Sequence, residues 1–133
     1  MPTQADRDFY IERLHEVLGK LDRFDVDGAV ACFTDDAELV IETDGLRVRG
    51  KEAIRAAVTA LCAEHEVLEH ELTSIVVDVQ VRKLASEQIY RGRLTTGKRN
   101  EMLNCNFLNF DGDGRISRLI TWHAASHRGG AGA

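Results

Sequence analysis

The stretch EMLNCNFLNFDGDGRISRLITWH, residues 101–123, decides the fold. Two β-rich runs, Glu101 to Phe110 and Arg115 to His123, flank Asp111-Gly112-Asp113-Gly114, a cluster of residues that favours a tight turn, so the stretch reads as a β-hairpin. A loop centred on Gly112-Asp113 pairs Phe110 with Arg115, Asn106 with Leu119, Asn104 with Thr121 and Met102 with His123. Side chains alternate across a strand, so Met102, Asn104, Asn106, Leu119, Thr121 and His123 share one face. Leu103, Cys105 and Phe107 share the other with Arg118, Ile120 and Trp122. A one-residue bulge in this hairpin would exchange the partners.

Upstream, Leu72 to Arg82 and Glu87 to Thr95 are two further strands, the second ending at Thr96-Gly97-Lys98, and the four runs form an antiparallel meander. Helices precede them. Tyr10, Leu14, Val17, Leu18 and Leu21 recur at spacings of three and four, the stripe of an amphipathic helix over residues 4–21. Asp25-Val26-Asp27-Gly28 caps a short second helix that stops near Thr34. Ala37 to Thr43, a turn at Asp44-Gly45, and Leu46 to Arg49 form a small hairpin. A third helix runs to about Glu64, with Ile54, Ala57, Val58, Leu61 and Cys62 inward. The expected architecture is α+β: a curved antiparallel sheet packed against three N-terminal helices and enclosing a pocket, one domain over residues 1–125 with a frayed tail at 126–133.

The chain has 133 residues and 44% hydrophobic content, enough for one sizeable core. Its longest apolar runs are too short to cross a bilayer and its N-terminus lacks the order of a signal peptide, so a cytoplasmic location and no membrane partner are expected. Cys32, Cys62 and Cys105 are odd in number and sit among apolar neighbours, which favours buried free thiols over disulfides or a metal cluster. The net charge of -5 divides into -9 over residues 1–71 and +4 over 72–133. The basic residues are spread along strands, so no nucleic-acid partner is expected. Asp111-Gly112-Asp113-Gly114 fails as a calcium loop, because Ile116 and Trp122 stand where glycine and glutamate would be needed. Neither a metal-binding histidine spacing nor a nucleotide fingerprint is present, so no metal and no cofactor are expected.

A sheet apolar on both faces needs a cover on each, and this chain has helices for one. The polar-spotted face suits a ligand pocket, and the plain face suits a homodimer interface through Leu103, Cys105, Phe107, Ile120 and Trp122.

The element order, with Asp25-Val26-Asp27-Gly28, Phe33-Thr34-Asp35-Asp36-Ala37, Arg49-Gly50-Lys51-Glu52-Ala53-Ile54 and the Asp-Gly-Asp-Gly-Arg-Ile turn, resembles the SnoaL-like proteins of the nuclear transport factor 2-like superfamily. The resemblance covers Arg7 to about His123 and implies a cone-shaped scaffold shared by isomerases, dehydratases, cyclases, hydrolases and non-catalytic binders. A steroid isomerase of this superfamily would need a tyrosine and two aspartates where this chain has Val17, Ile41 and Asn106, so ordinary steroid isomerisation is disfavoured. The dehydratase branch implies a Tyr-Asp pair and a histidine. Here Leu21-Asp22 keeps the aspartate, and His70 matches the histidine.

The candidate catalytic residues are therefore His70 with Asp22, and His123, since imidazole exchanges protons near neutral pH and a carboxylate can orient it. Asp22 has a second reading as a helix cap, and His123 as a strand-end histidine at the sheet rim. Asn104 and Asn106, unusual in a strand, are candidate substrate contacts with Thr121, Leu119, Met102, Glu42, Tyr90 and Val17. His15 is expected to be exposed. The expected function is binding of a small apolar, polyketide- or steroid-like molecule, with cofactor-independent lyase or isomerase chemistry. The alternatives are a non-catalytic binder or a protein-interaction domain.

Overall fold

In a computed structural model, which describes residues 1–124, helix α1 (Gln4–Asp22) lies across the concave side of a six-stranded sheet. Thr3 caps it: its hydroxyl accepts the Asp6 N–H while the Asp6 carboxylate accepts the Thr3 N–H, a reciprocal pair that satisfies two otherwise orphaned donors. Helix α2 (Val26–Ala31) starts where the Asp25 side chain accepts the Gly28 N–H. Strand β1 (Phe33–Ile41), a 3₁₀ turn (Glu42–Asp44), β2 (Leu46–Arg49) and α3 (Lys51–Glu64) follow, then β3 (His65–Asp78), β4 (Lys83–Leu94), β5 (Arg99–Phe110) and β6 (Ile116–His123). The expectation for residues 126–133 lies outside the described residues.

The strand order is β2-β1-β6-β5-β4-β3, and the sheet curls without closing. All neighbours are antiparallel except β1 and β6, which run parallel, so the sheet is mixed rather than purely antiparallel. This pairing arises because β6 returns from its hairpin beside β1, with the Ile116 N–H donating to the Cys32 carbonyl at its start.

The last hairpin keeps the expected faces but changes partners. The loop is one residue longer, Phe110 opposing Ile116, with the Asp111 side chain accepting the N–H groups of Asp113 and Arg115. A bulge at Ser117, whose hydroxyl donates to the Asn109 carbonyl, then adds a second residue. Two single-residue shifts restore parity, so Asn104 opposes His123 and Asn106 opposes Thr121 on the inner side. Strand β3 begins seven residues before Leu72, because His65 ends α3 already in extended conformation. Strand β4 begins at Lys83 after a turn in which Arg82 takes φ of 53°.

Leu14 and Val17 of α1 pack with Val30, Phe33, Ile54, Leu84, Leu108 and Ile116 in one core. His15 is exposed as expected. Cys32, Cys62 and Cys105 are free and half-buried, and burial pushes the Cys32 and Cys62 thiols up. Among the described residues no helix is long and apolar enough to cross a membrane.

Candidate active site

The concave side of the sheet, α1 and α3 enclose a cavity of about 400 Å³, the size of an ordinary small-ligand site. Its walls are mostly apolar. Leu14, Val17, Leu18 and Leu21 come from α1, Ala57, Val58 and Leu61 from α3, and Leu39 and Ile41 from β1. The polar groups are concentrated on β3 to β6.

Asp22, the last residue of α1, meets His70 in β3. Its Oδ1 lies 2.6 Å from His70 Nδ1, and its Oδ2 accepts the His70 backbone N–H at 3.0 Å. The carboxylate thus holds both the strand and the ring, and the cap of α2 is Asp25, so the capping alternative for Asp22 does not apply. Because a carboxylate only accepts, Nδ1 carries the proton. His70 lines the cavity, Nε2 is the nitrogen left without a proton in the neutral ring, and no group among the described residues bonds it.

Opposite His70 in the β3–β4 register stands Tyr90, the two rings 5.9 Å apart. The Tyr90 hydroxyl lies 2.5 Å from His65 Nε2, and His65 Nδ1 lies 2.8 Å from the Leu61 carbonyl. A carbonyl only accepts, so His65 carries a proton at Nδ1, and in the neutral ring Tyr90 donates to Nε2. Gly92 makes this contact possible: a Cβ there would fall 2.2 Å from the Tyr90 hydroxyl and 2.9 Å from the His65 ring. His65 was not legible as a site residue. The sequence signal was the pair Tyr90 and Gly92, two apart on one strand face, which marks a close approach over the glycine.

Asn104 and its cross-strand neighbour Gln88 both line the cavity, only 4% and 3% exposed, and neither side-chain carbonyl has a partner among the described residues. Asn106 differs. Its amide donates to Ser86 and its carbonyl accepts from Thr121, a buried ladder across β4, β5 and β6. Asn106 and Thr121 lie in the wall but spend their hydrogen bonds on each other, which leaves Asn104 as the amide suited to a ligand. Val17, Leu119 and Met102 are in the wall as well. Glu42 corrects an expectation: it is not in the cavity wall, because the 3₁₀ turn carries it out to an ion pair with Arg47.

His123 reaches the same cavity from β6. Burial holds its imidazole below the usual histidine range, Asp44 works against this, and charge on His70 adds to it. Its neutral form is therefore favoured in the folded protein. In the unfolded chain His123 takes up a proton more readily, so its contribution to stability is full above pH 6.5 and falls as pH drops below it. Thermal midpoints measured from pH 7.5 to 5 should fall less steeply for His123→Gln than for the wild type. Equal slopes would contradict a half-buried His123 that favours its neutral form.

The curled sheet with three helices is the nuclear transport factor 2-like cone. The chain belongs to the SnoaL-like domain family, whose model matches residues 11–119. No curated protein matches the sequence. Solved structures with the same fold include SalBIII, an epoxide hydrolase/cyclase-like enzyme with a role in pyran ring formation in the polyether salinomycin. It is 15% identical, with 90% of this chain and 94% of that chain covered and a TM-score of 0.81. BvnE pinacolase from Penicillium brevicompactum is 18% identical (94% and 89% covered, TM-score 0.78). An LEH-like epoxide hydrolase from M. tuberculosis is 20% identical (88% and 84% covered, TM-score 0.73). At these identities the likeness concerns the fold.

Proposed function

We infer that the protein is a cofactor-independent lyase or isomerase-like enzyme acting on a small, largely apolar molecule by general acid–base chemistry. The observation that carries this is the Asp22–His70 pair, which fixes the tautomer and leaves Nε2 as a base at the wall of an apolar cavity. In this reading His70 Nε2 takes a proton from carbon or oxygen of the substrate, Asp22 stabilises the imidazolium, and Asn104 holds a substrate oxygen. His123, kept neutral by burial, is a second proton acceptor facing the same space. The fold neighbours described as epoxide hydrolases, cyclase-like enzyme and pinacolase support small-molecule chemistry on this scaffold. The test is turnover across a cyclic-ketone and polyketide panel by the wild type, His70→Ala and His123→Ala. Tight binding without turnover would favour a carrier or sensor instead.

The same reading assigns the outer sheet face to a homodimer. Leu103, Phe107 and Trp122 are 45%, 49% and 41% exposed there, Phe107 and Trp122 stacked edge to face at 5.6 Å, with Cys105 opposite Trp122 in the register. Ile120 is already 9% exposed in the single chain and adds little. Sedimentation at micromolar concentration should give a dimer, and Phe107→Glu with Trp122→Glu a monomer. A monomeric wild type would reject the interface.

A further inference from the structure

The His65–Tyr90 contact has a consequence for what the cavity accepts. The Tyr90 proton is committed to His65 Nε2, because His65 Nδ1 already spends its own proton on the Leu61 carbonyl. Burial pushes the Tyr90 phenol up, a hydrogen bond from Asn100 lowers it and Glu64 adds to the rise, so the group stays a neutral hydroxyl that can keep donating. A tyrosine that donates to His65 and accepts from Asn100 has one lone pair left, so it can only accept from a ligand. The lining of the cavity also includes Glu64 and Asp44, with neither lysine nor arginine among the described lining residues. An anion entering this space would lose its hydration and find no fixed positive charge.

We propose that His65 fixes the Tyr90 hydroxyl as an acceptor for a hydroxyl group of the ligand, so that the cavity selects neutral, hydroxyl-bearing molecules over their ethers and over anions. Tyr90 is the contact and His65 the positioning residue. The inference rests on the cavity being the ligand site, but not on His70 acting as a base.

Isothermal titration of the full chain with 2-naphthol, 2-methoxynaphthalene and 2-naphthoate tests it. In the wild type 2-naphthol should bind about three- to tenfold more tightly than its methyl ether, the span of one neutral hydrogen bond, and 2-naphthoate most weakly. Tyr90→Phe removes one oxygen and should bring the ratio of naphthol to ether close to one. His65→Leu releases the tyrosine proton for the ether oxygen, so the ratio should collapse or invert, a change that mere loosening of the fold would not produce. Val76→Ala, at an exposed side chain outside the cavity wall, should leave the ratio unchanged. An unchanged ratio in Tyr90→Phe, a ratio lost in Val76→Ala instead, tighter binding of the naphthoate, or no binding of 2-naphthol would each overturn the proposal. Loss of turnover in His70→Ala is a separate result, so the base assignment can stand or fall with this ratio intact.

Discussion

Replacing His70 by alanine is expected to lower turnover of every accepted substrate by about 10²- to 10⁴-fold, the usual worth of a positioned acid–base group, with the fold retained. The Asp22→Asn variant is the sharper probe. The His70 backbone N–H must donate, so the asparagine carbonyl turns to it and the amide NH₂ faces the ring. Nδ1 must then accept, the proton moves to Nε2, and the lone pair that faces the cavity disappears. The loss should therefore fall in the same range, although the substitution preserves size. Steady-state rates for the two variants, beside circular dichroism to show that both fold, check this. Full activity in Asp22→Asn would mean that the pair only ties α1 to β3.

The largest effect on stability is expected at Ile54. It is fully buried in α3 between α2 and β1, and it lies outside the cavity wall, so truncation opens a new void instead of widening an existing one. Ile54→Ala should cost about 2–5 kcal/mol by urea unfolding, whereas Val76→Ala, at a side chain 65% exposed, should stay within about 0.5 kcal/mol. A small loss at Ile54 would contradict a single core shared by the helices and the sheet.

Much of the scaffold was legible because the signals were local. The spacing of Tyr10, Leu14 and Val17 gave α1, and strand alternation gave the two faces of β5 and β6 even though the partners differ. The start of β3 was hidden: His65-Glu66-Val67-Leu68-Glu69-His70 is rich in charge, and a bulge between His65 and Val67 breaks the alternation. The turn at Val79–Arg82 was hidden too, because it contains neither glycine nor proline and places Arg82 at positive φ. The parallel contact of β1 with β6 depends on a chain reversal some 80 residues away, which no local pattern carries.

The site followed the same division. His70 with Asp22 was visible by resemblance, yet their contact joins residues 48 positions apart and needed the fold. The Asn104 and Asn106 pair looked alike in sequence. They separate in the structure only because Ser86 and Thr121 flank Asn106 on both neighbouring strands, while Asn104 has Gln88 and His123 beside it. Glu42 was misplaced because a tight two-residue turn was expected, whereas the 3₁₀ turn that forms, closed by Gly45 at φ of 69°, carries its side chain outward.

The central claim, that His70 Nε2 takes a proton from a molecule held in the cavity, can be tested without knowing the natural substrate. Exchange of the α-hydrogens of 1-tetralone in D₂O, followed by proton NMR, reports proton abstraction directly. The wild type should accelerate exchange well above buffer, and His70→Ala and Asp22→Asn should return it to the buffer rate. Exchange as fast in His70→Ala as in the wild type would contradict the account.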